Sequence, residues 1–274
     1  MRRSTRRCRD GARAVVWPLV LFAVAACSDG PPDADTAPVP ADRNAVTLEQ
    51  RPSGYTGSPA QWRGFIDCWA RDVQGARPDA VPLVEAGAVV VDDVALESAI
   101  QQRQRQLGVE LPRSYLDFLR AYRPRGQWST VANATGFLAP EAIDTVARLD
   151  PEGVALAQQF PLEPDDATYF RYGIEQDSAT ARSRYQAGAI IVGKYGSSLY
   201  EQILLFPQVR TRDGEMEAAL LGWSGTFRAP SFAELMRQLH YLDLGRAVHV
   251  PPYAQTLLRG TCADAMPLQD VWWK

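Results

Sequence analysis

The sequence predicts an α+β fold, an antiparallel sheet flanked by helices, set behind a disordered tether. Three observations predict it. Apolar residues recur at helical spacing between Trp62 and Tyr122, compact apolar runs of strand length follow between Ala189 and Trp223, and a capped helix begins at Ser231. Runs of helices followed by runs of strands, rather than strict alternation, are the order of an α+β domain.

The chain opens with a secretory signal. Arg2, Arg3, Arg6, Arg7, Arg9 and Arg13 form a cationic start, and Ala14 to Ala26 form an apolar run ending in small residues. That run is 13 residues long. A hydrocarbon core needs roughly 20, so a permanent transmembrane helix is the weaker reading. Val24-Ala25-Ala26-Cys27 resembles the lipobox of bacterial lipoproteins. The resemblance implies cleavage before Cys27, a lipid thioether on its sulfur and acylation of the new amine. Several acyl chains anchor stably where one binds marginally, at about 0.8 kcal/mol per buried methylene. In lipoproteins an Asp directly after the cysteine signals retention at the inner membrane. Ser28 stands there instead, so the expected location is the outer membrane, facing the periplasm.

Ser28 to Ser58 reads as the tether. It holds Pro31, Pro32, Pro38, Pro40 and Pro52 among Asp, Ala and Gly, with few large apolar groups. Such a segment buries too little surface to offset its ordering entropy. Composition bounds the rest. The whole chain has 29 Lys and Arg against 32 Asp and Glu, and the signal holds six of the Arg and one Asp. The mature chain therefore has 23 basic against 31 acidic residues, a net charge of −8. An acidic domain argues against nucleic acid and anionic head groups, and a charged partner is expected to be basic. Cys8 lies in the signal and Cys27 carries the lipid, so Cys68 and Cys262 remain. Two cysteines in an exported domain predict one disulfide, and two separate buried thiols are the alternative.

Ser58-Pro59-Ala60-Gln61 starts the first helix: a cap, a proline at the first helical position and a capping-box Gln. Trp62, Phe65, Ile66, Trp69 and Val73 make its apolar stripe, and Gly75 is a stop. Val81 to Val91 includes a candidate strand. Asp92-Asp93 caps a helix through Gln106, with Leu96, Ala99, Ile100 and Leu107 on one face, and Gly108 ends it. Pro112 opens another, carrying Tyr115, Leu116, Phe118, Leu119 and Tyr122. A short helix is expected from Pro140 to Leu149. Strands are expected at Ala189–Gly193, Tyr200–Phe206 and Met216–Trp223, broken at Gly196-Ser197-Ser198 and Arg212-Asp213-Gly214. Ser231-Phe232-Ala233-Glu234 is a capping box opening a helix with Leu235, Leu239 and Leu242.

Ile100, Leu107-Gly108, Leu111-Pro112, Tyr115 and Phe118-Leu119 together resemble the signature of the SMI1/KNR4 (SUKH) superfamily. There a helix ends in Leu-Gly, and Leu-Pro then opens a second helix with Tyr and Phe-Leu following. The later strands, the Gly-Ser break and the Ser-Phe-Ala-Glu-Leu helix agree in order, so the resemblance spans about Val94 to Leu242. Its first twenty residues are the specific part. Departures are Gln104 where an acid is usual, Arg123-Pro124-Arg125-Gly126 where Asn-Gly is common, and a longer stretch from Pro140 to Gln186. The resemblance implies protein binding rather than catalysis. Many bacterial members look like immunity proteins against polymorphic toxins, and others like general interaction modules. Bottom-up, the signature residues read as core and turn positions. The expected organisation is a signal over 1–26, a lipidated tether over 27–58, a helical extension over 59–92, an SMI1/KNR4-like domain over 93–245 and a tail over 246–274 packing back on it.

No catalytic residues, metal site or cofactor are expected. His240 and His249 have no zinc-motif spacing, and His240 follows an apolar helix face as a structural histidine would. Gly222-Trp223-Ser224-Gly225 approaches a nucleophile elbow but lacks the final Gly in register. Glu163, Asp165 and Asp166 around Pro164 read as a solvated loop. Asn133-Ala134-Thr135 matches a glycosylation sequon without consequence in a bacterium. The expected protein is therefore a membrane-anchored, protein-binding module, with a basic toxin domain as candidate partner and no nucleic acid. A structural or assembly lipoprotein of the envelope is the alternative, and an envelope hydrolase the third reading.

Overall fold

The computed structural model describes residues 48–76, 78, 83–84, 93–128, 135–173, 176, 181–195, 201–222, 225–248, 262 and 265. Cys27, the start of the tether, nearly all of Val81–Val91, the Gly196-Ser197-Ser198 break, Asn133 and His249 lie outside them. The fold is α+β, with a six-stranded antiparallel sheet.

The first helix, α1 (Pro59–Ala76), follows the predicted stripe, and Trp62, Phe65, Ile66, Trp69 and Val73 are buried. At its start the Gln61 N–H donates to Ser58 Oγ, whose hydroxyl donates to Gln61 Oε1, so cap and third-residue side chains satisfy each other. Helix α2 (Asp93–Leu107) ends at Gly108, which takes φ +69, a left-handed backbone that favours glycine. Helix α3 (Arg113–Tyr122) starts behind Pro112 and buries Tyr115, Phe118 and Leu119. These join Trp62, Phe137 and Phe232 in one aromatic core centred on Phe118. Its ring lies 5.3 Å from Trp62, 4.7 Å from Phe137 and 5.2 Å from Phe232.

The helix expected over Pro140–Leu149 is corrected. A turn at Pro140–Ala142 leads into a two-residue strand, and only Val146–Leu149 is helical. The strands β1 (Gly136–Phe137) and β2 (Asp144–Thr145) lie along one edge of β3 (Ile190–Lys194), with Phe137 opposite Gly193 and Thr145 opposite Ile190. Ile143, Thr145 and Val146 are β-branched, and a paired edge suits them better than a helix. Helices α4 (Val146–Leu149), α5 (Pro151–Gln159), α6 (Asp166–Tyr169) and α7 (Ser183–Gln186) fill the longer stretch before β3. Strands β4 (Gln202–Arg210) and β5 (Met216–Gly222) continue the sheet as a meander. The pairing of β4 shifts register between Phe206 and Arg210, where Pro207 has no N–H to donate.

Strand β6 (Gly225–Ala229) was not foreseen. Gly222 pairs with Gly225 across a two-residue connection. The sequence that approached a nucleophile elbow is thus a hairpin, with Trp223 and Ser224 outside the described residues. At this outer strand the Gln176 side chain stands in for a neighbouring backbone: its Nε2 donates to Arg228 O, and Oε1 accepts from Arg228 N–H. Helix α8 (Phe232–Val248) packs on β5 and β6 and against α1 and α3. Packing also begins earlier than Ser58. Ser53 and Tyr55 are buried, Ser53 donates to the Asp213 carboxylate in the β4–β5 turn, and Arg212 N–H donates to Arg51 O.

Candidate functional site

The family-signature residues hold the fold rather than present a surface. Ile100, Leu111, Tyr115, Phe118 and Leu119 are buried, Leu107 is half-buried, and Gly108 and Pro112 shape the turn between α2 and α3. Gln104 has a local task there, its Oε1 accepting from the Leu111 N–H at 2.8 Å. Arg123 closes α3 at φ +53, a conformation that costs an ordinary side chain energy. Gly126 must lack a side chain, because a Cβ would come within 2.3 Å of Phe137 O.

Charged groups inside the fold are paired across elements. Glu217 and Arg228 form an ion pair at 3.1 Å, both essentially without exposure. Tyr169 donates its hydroxyl to Glu217, and its ring lies 4.0 Å from the Arg228 guanidinium and 4.2 Å from that of Arg182. Burial pushes the Glu217 carboxyl up against the pull of Arg228. Arg228 keeps Nε and Nη2 buried without a hydrogen-bond partner. Glu215 accepts from the N–H of Ser114 at the start of α3, and also from its hydroxyl. Desolvation pushes its carboxyl up to about 7 despite those donors.

The surface has two candidate features. A cavity of about 320 Å³ opens between the start of α2 and the segment after α3, lined by Leu96, Arg123, Arg125, Gln127, Pro140 and Glu141. The second is an apolar ridge. Four large hydrophobic residues are exposed among the described ones, and three of them fall between Leu156 and Leu162: Leu156 at 54 %, Phe160 at 65 % and Leu162 at 49 %. Scattered exposed apolar groups need no explanation, but three within seven residues of chain make a candidate contact surface. Helix α5, which begins the ridge, buries none of its residues. Asp150 caps it by accepting from Gly153 N–H, with Pro151 in the first turn.

The chain is pinned at the end of the ridge and just after it. Leu162 N–H donates to Ser183 Oγ, and Ser183 N–H donates to Leu162 O. Arg182, almost fully buried, donates from Nε and Nη2 to Pro164 O and pairs with Asp166 at 2.5 Å. Asp165 caps α6 by accepting from Thr168 N–H, and Glu163 pairs with Arg184. The acidic cluster at 163–166 is thus a set of caps and ion pairs. Sequence reasoning missed the ridge, although Asp150-Pro151-Glu152 is a helix-start signal that could have found α5.

Cys68 and Cys262 are joined as a disulfide, which closes a span of 194 residues between α1 and the C-terminal region. His240 on α8 lies beside it, its Nε2 3.2 Å from Asp72 Oδ2. Its ring meets Phe65 and Trp69 edge to face at 5.8 and 5.4 Å. Desolvation lowers the imidazole from its ordinary value, against the pull of Asp72. Among the described residues, no helix is long and apolar enough to cross a membrane. No protein-family model matches the chain, and comparison with curated proteins and with solved structures finds no match either.

Proposed function

We propose that the protein is a lipid-anchored binding module of the cell envelope, held by Cys27 to the periplasmic side of the outer membrane, and that it acts as an immunity protein by masking a basic toxin domain. The observation that carries the binding reading is the ridge of Leu156, Phe160 and Leu162, apolar and exposed, with Leu162 tied by its backbone to Ser183. A preorganised apolar surface binds with little ordering cost. Exposed Glu152, Glu163 and Asp165 flank it, and the mature chain carries −8, which favours a basic partner. The finer fold reading is an SMI1/KNR4-like domain. It rests on the Leu107-Gly108 and Leu111-Pro112 turn and on a helix–meander–helix order that agrees with it.

Two measurements test the proposal. Calorimetric titration of the mature domain with a toxin domain encoded beside its gene should show binding. Leu156→Asp with Phe160→Asp should weaken it by about 100-fold or more, with the urea midpoint unchanged because both side chains are exposed. Full affinity in that double variant removes the ridge as the docking face. Absence of binding to, or protection from, any adjacent effector removes the immunity reading. For the anchor, Cys27→Ser should abolish labelling by a fatty-acid probe, and persistent labelling overturns it.

A further inference from the structure

The end of α1 meets two groups from distant parts of the chain. Cys68 and Asp72 are four residues apart and share one face of the helix. Cys262 arrives from the C-terminal region and His240 from α8. The ligand-capable atoms of Cys68, Asp72 and Cys262 all lie within 4.8 Å of one another. Asp72 Oδ2 is 3.0 Å from Cys262 Sγ and 3.2 Å from His240 Nε2. A disulfide sulfur has no proton to donate, so that 3.0 Å approach sets two lone-pair-bearing atoms against each other. A thiol proton or a cation between them would relieve it.

We propose that the reduced protein binds one zinc ion through Cys68, Asp72, His240 and Cys262, so that disulfide and metal are alternative closures of the same joint. Zinc takes nitrogen and oxygen ligands at about 2.0–2.1 Å and sulfur at about 2.3 Å in a tetrahedron, which spaces the ligand atoms by roughly 3.3–3.8 Å. The carboxylate and imidazole already stand near that spacing. The two sulfurs must part, and the His240 ring, which stands outside the set of Cys68, Asp72 and Cys262, must close on them. The chemistry balances with a dithiol as reductant. The dithiol transfers two electrons and two protons to the Cys68–Cys262 bond and becomes a disulfide itself. Zinc then displaces the two thiol protons to solvent, and two thiolates, one carboxylate and one neutral imidazole surround the dication. Burial of Cys262 and His240 beside Phe65 and Trp69 gives the site a dry wall. The disulfide form belongs to oxidising surroundings and the zinc form to reducing ones.

The test uses the full mature chain, reduced with a phosphine and desalted without oxygen, and titrated with Co²⁺ as a spectroscopic stand-in. One equivalent should produce tetrahedral visible bands and thiolate-to-cobalt charge transfer, and Zn²⁺ should displace both. Zinc should also raise the melting temperature of the reduced protein and leave that of the oxidised protein unchanged. Asp72→Asn, a half-exposed change, should weaken zinc binding about tenfold or more, and so should His240→Gln. Absence of the thiolate band in the reduced protein overturns the proposal without any variant. Equal zinc affinity in oxidised and reduced protein, or affinity in both Asp72→Asn and His240→Gln unchanged from the unsubstituted protein, overturns it too.

Discussion

Single buried ionisable residues set how this protein responds to pH. Glu215 is the clearest case. Burial pushes its carboxyl up to about 7 in the folded chain from an ordinary 4.5, outweighing the two donors of Ser114. The folded state therefore holds that proton more tightly than the unfolded state between those values. Stability should fall as pH rises from about 4.5 to 7, by up to about 3 kcal/mol from this group. Glu215→Gln should flatten that dependence in urea titrations at several pH values. An unchanged slope would show that Ser114 holds the carboxylate ionised. Glu217 and Arg228 follow the same physics with the charge balanced inside the fold. Neither was legible in the sequence, where Glu217 falls in an expected strand and Arg228 in no expected element.

Turns and caps govern the elements. Gly108 and Gly126 look alike in the sequence, but their constraints differ. Gly108 has a left-handed backbone and open space around a would-be Cβ, whereas a Cβ on Gly126 would come within 2.3 Å of the Phe137 carbonyl oxygen. Gly108→Ala should cost about 1 kcal/mol. Gly126→Ala should cost more, about 2–3 kcal/mol, because backbone must shift. Equal losses in denaturant melts would contradict the close approach at the Gly126–Leu138 bridge. The elements with strong periodicity and clear caps, α1, α2, α3 and the start of α8, were legible from the sequence. The short ones were not. A two-residue strand such as β2 has no period to read, and it exists because β3 offers it an edge. β6 was hidden by Arg228, a charge that only its pairing with Glu217 makes compatible with burial.

At the scale of the whole molecule the Cys68–Cys262 bond joins the beginning of the folded region to its end. Closing so long a span removes unfolded-state entropy worth roughly 5 kcal/mol as an upper estimate. Replacing both cysteines by serine should lower stability by about 2–5 kcal/mol in urea denaturation, with the same far-ultraviolet circular dichroism. A loss below about 1 kcal/mol would show that the aromatic core around Phe118 carries the closure alone. The end of the ridge belongs to this scale as well, since Ser183, about twenty residues further along, pairs with the Leu162 backbone.

The sequence alone determined the α+β class, the helices that carry the aromatic core, the strands of the meander and the expectation that Cys68 and Cys262 pair. Each of these rests on local periodicity, on caps, or on counting cysteines. Tertiary structure alone decided where strands β1, β2 and β6 find partners, which acidic residues are buried, and that apolar Leu156, Phe160 and Leu162 stay outside. It also decided that Asp72 stands beside the two cysteines and His240 beside Asp72. Those facts depend on which distant residues meet, and a chain read in order carries no record of the desolvation and pairing that begin only when they do.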